Sequence, residues 1–556
     1  MRYTLPLRLT QHMRLHYSYT LSRWISCMSI ALLASGCVGN SFTHSLKQVP
    51  PPATLSSVTP DYSDSTMTVA VGEHYGRSRL HTFFYGKHYR SAWTTPVEFR
   101  VLDLSTEKGG LKPTSQGGSR QTMNLRLEDS TGKEYVLRSV DKDPATALPE
   151  KWQQSYAANI IRDATSATHP YAALVLPPMA KAIGIHHTEP QLVYVPHDPK
   201  LGKYLDNFGG MVALLEIRPD DDLSDEPDMG GSENVKGTRS MLEDRFFDNQ
   251  TRIDARYFLR ARLFDMLIGD WSRHEDNWRW AQYKENGVKV YQAIPRDRDN
   301  VFYKLNDAVI PWLFMRTGLK KHFQTYSNNL SNLTELNTSG RNLDETILAE
   351  LTYQDWVEIA DSVRNELTDD VIERAFRQMP DTIYKLTAKD IMTKLKSRRN
   401  KLTPSTQKYY KELVREALIV GSDKHERFEI EVLSTDEVRV QVHKVTKEGE
   451  EKRQLFDRVY HAADTKEIHL FGLNGKDEFE VTGDVRSKIK IRVWGGAGED
   501  SYTVKGNKRM ARRVWIEDTA YRNDYDLIKG TRKKIVQTPL ANQFDAEGWL
   551  LRYYLN

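Results

Sequence analysis

The sequence predicts an α+β fold: a sheet-rich lobe, a mostly helical lobe, and a small all-β domain after them. Three observations predict it. From Thr82 onward apolar residues alternate with polar ones, as in Val97 to Leu102, Thr122 to Leu127 and Glu134 to Val140, which is the period of a half-buried strand. In Asp254 to Leu267, Tyr353 to Arg364, Asp369 to Arg377 and Ile383 to Arg399 they recur at helical spacing. After Gly421 short alternating runs return at Phe428 to Leu433, Glu437 to His443, Glu467 to Phe471 and Ile489 to Trp494, the pattern of a separate β domain. The lobes are assigned to residues 76–219 and 220–405, and the β domain to 410–556.

The first 36 residues hold Arg2, Arg8, Arg14 and Arg23, no acidic residue, and an apolar run from Trp24 to Ala34. The run is about half the length of a bilayer span, so residues 1–36 read as a secretory signal peptide. Ala34-Ser35-Gly36-Cys37 resembles a bacterial lipobox, with Ala where Leu is usual. The resemblance implies lipidation at Cys37 and attachment to the membrane through that lipid. Val38-Gly39 lacks the Asp that retains such proteins at the inner membrane, which points to an outer-membrane lipoprotein of the cell envelope. Cys27 lies inside the signal, so the mature chain keeps one cysteine and forms no disulfide framework. The whole chain carries 79 Lys plus Arg against 75 Asp plus Glu, a net +4. Loss of the four signal arginines leaves it neutral, which excludes nucleic acid as a bulk electrostatic partner. Residues 37–75 include Pro50-Pro51-Pro52 and a Ser/Thr-rich stretch without periodicity, and read as a tether.

In the first lobe the glycines of Gly109-Gly110 and Gly117-Gly118-Ser119-Arg120-Gln121 lie between strands. They read as a flexible hairpin loop, with a phosphate cradle as the alternative. A helix is expected from Trp152 to Ala167 and another from Pro178 to Ile183, then strands at Gln191 to Val195 and Met211 to Glu216. His186, His187 and His197 share no ligand spacing on one element and read as hydrogen-bonded histidines. Asp220 to Glu233 reads as a solvated acidic loop, because it lacks a full calcium-ligand pattern.

The densest set of chemically useful side chains follows, in ARLFDMLIGDWSRHEDNWRW (Ala261 to Trp280) and IPRDRDNVF (Ile294 to Phe302). Leu263, Phe264, Leu267 and Ile268 make a helix that Gly269 breaks, and the loop beyond carries Asp270, Arg273, His274, Glu275, Asp276 and Asn277. Asp297 and Asp299 follow a strand from Val288 to Ile294. Two carboxylates and an amide on neighbouring loops suit Mg²⁺ or Mn²⁺ bound to a phosphate. Trp271, Trp278 and Trp280 are expected to pack the loop against its helix.

Ser272-Arg273-His274-Glu275-Asp276-Asn277 with an acidic strand end downstream resembles the D-R-H-x-x-N loop and metal-binding Asp of atypical kinases. These are the HipA-type, phosphatidylinositol 3-kinase-like and secretory-pathway casein kinase-like families. The resemblance implies a two-lobed kinase-like domain with Asn277 and Asp297 or Asp299 on a metal, a nucleotide as cofactor, and Arg273 and His274 in the catalytic loop. Ser272 stands where those families place the catalytic Asp, and Asp270 is the nearest acid that could replace it. Tyr135-Val136-Leu137-Arg138 resembles the kinase strand whose Lys contacts phosphates, with Arg138 in the Lys position and Lys142 close behind. Met179 to Ile185 resembles the L-A-x-x-x-G-I segment of HipA-type kinases; the acid that pairs with the strand cation is missing before it, and Asp163 is the nearest candidate. Glu216 lies where a kinase places its hinge.

Helices are expected at Tyr353 to Arg364, at Asp369 to Arg377 behind a Thr368 cap, and at Ile383 to Arg399. In the β domain Gly472 to Phe479 matches Gly495 to Tyr502 at a shift of 23. GGAGEDSYTV also resembles one unit of the calcium-binding nonapeptide repeat, but a 23-residue shift cannot build that family's cage, so the copies read as equivalent turns. Three functions remain open: a metal-dependent phosphotransferase, a pseudokinase that binds a phosphorylated or nucleotide-like ligand or protein partner, and a structural envelope protein.

Overall fold

The first lobe is a seven-stranded sheet in the spatial order Thr66–Val69, Val97–Val101, Gln191–Val195, Met211–Ile217, Glu134–Ser139, Asn124–Glu128, Lys112–Gly117. The computed structural model describes residues 46–52, 60–117, 121–317, 322–330 and 332–537; the signal, Cys37 and Gly118 to Arg120 lie outside them. Neighbouring strands are antiparallel except for Val97–Val101 beside Gln191–Val195. One face buries Leu125, Leu127, Leu137, Ala213 and Leu215. On the other face the register sets Arg138 opposite Leu214 and Val136 opposite Glu216, so Arg138 and Glu216 are diagonal neighbours. The helix expected from Trp152 is shorter, Tyr156–Asp163, because the Ser155 side chain caps it by accepting from the Ala158 N–H.

In the second lobe the helix Ala255–Ile268 starts where Asp254 accepts from the Tyr257 N–H and ends at Gly269, whose φ of +74° suits glycine. Trp278 and Trp280 do not sit in the loop. They lie on a strand, Trp278–Glu285, that pairs with Val288–Pro295 inside a four-stranded sheet, and their rings pack 5.0 and 5.6 Å from Phe258 of the helix. Tyr353–Glu366, Asp369–Phe376 with its Thr368 cap, Lys389–Asn400 and Leu402–Leu413 complete the lobe. The last of these runs through the 405–410 boundary.

The β domain is a solenoid. Strands alternate between two sheets, so that Glu467–Gly475, Lys490–Gly498, Val514–Asp518 and Arg532–Ile535 stack in parallel on one side and Glu478–Gly483, Ser501–Gly506 and Asp524–Leu527 on the other. Leu473 faces Gly496, Phe479 faces Tyr502, and Tyr502 faces Tyr525. The 23-residue shift is therefore the length of one coil, and the matched glycine turns lie directly on one another. Phe428, Phe479, Tyr502 and Tyr525 stack at 4.6, 5.4 and 5.0 Å. Beside them runs a ladder in which each carboxylate or amide accepts from the previous coil: Asp477 from the Glu426 N–H, Asp500 from the Asp477 N–H, and Asn523 from the Asp500 N–H, each at 2.8 to 2.9 Å. The solenoid leans on the second lobe, since Leu418, Phe471, Leu473 and Trp494 join that lobe's core and Arg245 donates to the carbonyls of Val420 and Gly421.

Burial, with Glu426 and Asp500 nearby, raises the Asp477 carboxyl well above its ordinary range; burial, with Asp518 facing it, pushes Asp500 up to about 7. Folding thus favours the protonated ladder. Its stabilisation is full below the unfolded carboxyl value of about 3.9 and is lost as pH rises through about 7. Amide exchange in 478–506, corrected for intrinsic rates, should show more protection near pH 5 than near pH 8. Asp500→Asn, which keeps the ladder acceptor, should remove much of that difference.

Candidate functional site

A carboxylate on the apolar face of a helix fixes the site. Asp265 is fully buried on Ala255–Ile268. Its Oδ1 accepts from Arg298 Nε at 2.9 Å, and its Oδ2 accepts from Arg262 Nη1 at 3.0 Å with Arg273 Nε 3.3 Å away. Burial raises its pKa, and the three guanidinium groups outweigh burial and hold it low. Arg273 goes on to donate to the carbonyls of Arg296 and Asn277, at 2.7 Å each, and lies 4.6 Å over the Trp278 ring. The loop 270–277 and the turn 296–299 are thereby tied through their backbones to one ion cluster.

Above that turn a narrow cleft with about 60 Å³ of free space lies between the lobes, lined by Arg138, Lys142, Glu216, Arg296, Asp297 and Asp299 with apolar walls from Trp93, Leu176 and Leu214. Arg138 bridges the lobes: it meets Glu216 at 2.9 Å on its own sheet and Asp297 at 2.7 Å across the cleft. Lys142 makes a second bridge, to Asp299 at 2.6 Å, and lies 3.4 Å from Asn300 Oδ1. Burial raises both acids, but the balance differs. Arg138, Lys142 and Arg296 bring Asp297 below its ordinary range, whereas Asp299, with Asp297 as a like charge, stays above it. Burial, then Arg279 and Arg138, lower Arg296 to about 10. Asp297 has a φ of +60°, a conformation that Asp tolerates better than most side chains.

The structure brings together Arg138, Lys142, Glu216, Asp297 and Asp299. The residues of the loop behave differently. Asp270 is 1% exposed and faces inward, accepting from the Ser272 N–H and Oγ at 3.0 Å each, and burial raises its pKa. Arg273 is consumed by the ion cluster. His274 is half-exposed beside Asp276, and Asn277 is buried with its amide donating to the Ser272 carbonyl. None of these four lines the cleft. Asp163 does not reach Arg138 either, because it is held by both ends of the Arg90 guanidinium at 2.9 and 2.6 Å. Glu216 is the acid that pairs with the strand cation.

For a divalent metal, the residues that fit are Asp297 and Asp299. Asp299 gives one oxygen to Lys142 while its other, Oδ1, is buried without a partner, and an orphaned oxygen beside a second carboxylate is a hard-cation donor set. Sequence reading passed over Asn300, whose Nδ2 donates to Ser272 Oγ at 3.2 Å. This completes a path from Asp270 through Ser272 and Asn300 to Lys142. It also passed over Asp265, although a carboxylate among Leu263, Phe264 and Leu267 is itself a signal, since such a group is buried only when paired.

No family model matches the chain, and no curated protein does. Solved structures are similar to about half of it, among them the two that follow. The Helicobacter pylori proinflammatory kinase CtkA is 14% identical over 51% of this chain and 95% of that one, with a TM-score of 0.25. The Shewanella oneidensis MR-1 toxin-antitoxin complex of HipA, HipB and operator DNA is 13% identical over 52% and 65%, with a TM-score of 0.22. Likenesses this slight carry no weight for the chemistry.

Breaking a buried pair strands its partners and costs on the order of 3–5 kcal/mol. Asp265→Ala should lose about that much in denaturant unfolding of the lobes, and an unchanged midpoint would show that the arginines are held by other means.

Proposed function

We propose that the cleft binds a metal-chelated phosphate ester of the nucleotide class, and that the chain is a kinase-like binding protein rather than an efficient phosphotransferase. One observation carries this reading: two cations from the upper lip, Arg138 and Lys142, meet two carboxylates of the lower lip, one of which keeps a buried, unpartnered oxygen. Arg138 and Lys142 would receive phosphate oxygens, and Asp297 and Asp299 would hold Mg²⁺ or Mn²⁺. The metal's contribution is to neutralise phosphate charge. Glu216 fixes the rotamer of Arg138, and the apolar wall from Trp93 to Leu214 excludes water beside a flat ring.

Transfer needs a base that reaches the acceptor hydroxyl. The resemblance of the loop puts Ser272 at the place of that base, and Asp270 is buried beside it, which supports slow transfer in the wild type. Ser272→Asp should raise it. The lipobox-like Ala34 to Cys37, with Val38-Gly39 after it, supports a lipid anchor on the outer membrane, and loss of palmitate label in Cys37→Ser tests it.

Calorimetry with Mg²⁺ and a non-hydrolysable nucleotide should give saturable binding that Asp299→Asn weakens about tenfold or more. A proton on Asp299 competes with the metal, and burial raises that carboxyl, so affinity should climb with pH and Asp299→Asn should flatten the climb. Binding that is absent, or equal in both proteins, contradicts the reading.

A further inference from the structure

A second site lies at the outer rim of the cleft, where the acidic loop folds back on the sheet. Among the described residues one group of three His, Asp or Glu side chains is close enough to share a metal: His187, Glu189 and Asp228, with one ligand atom from each within 4.8 Å of the others. The loop is anchored there by its backbone, since the His187 N–H donates to the Asp228 carbonyl at 2.9 Å.

The imidazole supplies the deciding observation. His187 is 5% exposed, and its Nδ1 lies 3.1 Å from the Ile185 carbonyl. A carbonyl only accepts, so Nδ1 carries the proton and Nε2 keeps its lone pair. Nε2 is buried and has no hydrogen-bond partner. A lone pair fixed in this way, with its other nitrogen held by a backbone carbonyl, is the arrangement of a metal-binding histidine. The recess before it, about 230 Å³, is lined by four acids, Glu189, Glu216, Glu226 and Asp228, against one cation, Lys108.

We propose that His187, Glu189 and Asp228 form a binding site for a first-row transition metal, with Zn²⁺ as the ion that best suits one imidazole and two carboxylates. Ligand atoms around tetrahedral Zn²⁺ stand roughly 3.3 Å apart, inside the 4.8 Å that bounds the present spacing, so the exposed Glu189 and the half-exposed Asp228 can close on the ion by side-chain rotation. It also displaces Lys181, whose Nζ lies 3.2 Å from Asp228 Oδ1. The site staples the loop Asp220 to Glu233 to the segment before Gln191–Val195. Thr188, between two of the ligands, donates to Glu216 at 2.7 Å, so the staple borders the group that orients Arg138.

The test uses the untagged full chain, stripped with a chelator and titrated with Zn²⁺ against a chromophoric competitor. One equivalent should bind, and Glu189→Gln and Asp228→Asn should each weaken it about tenfold or more. Asp299→Asn, in the other site, should leave it unchanged. Glu189 is exposed, so its variant folds and the test stands even if His187→Ala does not. Co²⁺ in place of Zn²⁺ should give visible absorption that His187→Ala or Glu189→Gln abolishes. No Zn²⁺ bound, or one equivalent bound equally by Glu189→Gln and Asp228→Asn, overturns the proposal.

Discussion

The site depends on Asp265. A fully buried carboxylate needs compensation, and here three arginines from different parts of the chain converge on it: Arg262 from the same helix, Arg273 from the loop and Arg298 from the turn. The loop and the turn are otherwise irregular backbone whose polar groups would need partners of their own. The cluster supplies them, because Arg273 also takes the carbonyls of Arg296 and Asn277. What looks in sequence like a catalytic arginine is the clamp that sets Asp297 and Asp299 at the lower lip.

On that base the cleft is closed by its own charges. Arg138 and Lys142 reach down from the sheet and the two carboxylates reach up, so each lip neutralises the other. Such a cleft is preorganised for a ligand that carries both signs, phosphate for the cations and metal for the acids, because that ligand replaces both bridges at once. A bare anion or a bare cation must break a bridge and leave a charge stranded. The opposite pKa directions of Asp297 and Asp299 follow from the same asymmetry, since four cations act on the first while the second has Lys142 and Arg138 set against burial and a like-charged neighbour.

Much of this was legible in the sequence, and the rest was hidden for physical reasons. Local signals worked: Thr368 caps its helix and Gly269 ends one. The register that joins Arg138 to Glu216 was not read, because strand pairing is long-range, and Asp163 stood in its place as the expected partner. The 23-residue match marked one coil, but a single copy does not show that its strands stack in parallel, because pairing direction is a long-range property. The roles within the loop were misread for a related cause. A polar residue in a loop looks alike whether it faces a cleft or a buried ion cluster, and Asp270, Arg273 and Asn277 face inward. His187 and Asp228 lie far apart in sequence, and only the folded acidic loop brings them together.

The central claim is that Lys142 and a metal compete for Asp299 while Lys142 and the metal jointly hold a phosphate ligand. Mn²⁺ affinity, measured by electron paramagnetic resonance for wild type and Lys142→Met with and without a nucleotide, tests it directly. In the variant Mn²⁺ alone should bind several times more tightly, and the Mn²⁺–nucleotide complex about tenfold more weakly. Weaker binding of Mn²⁺ alone, or tighter binding of the complex, would contradict the account.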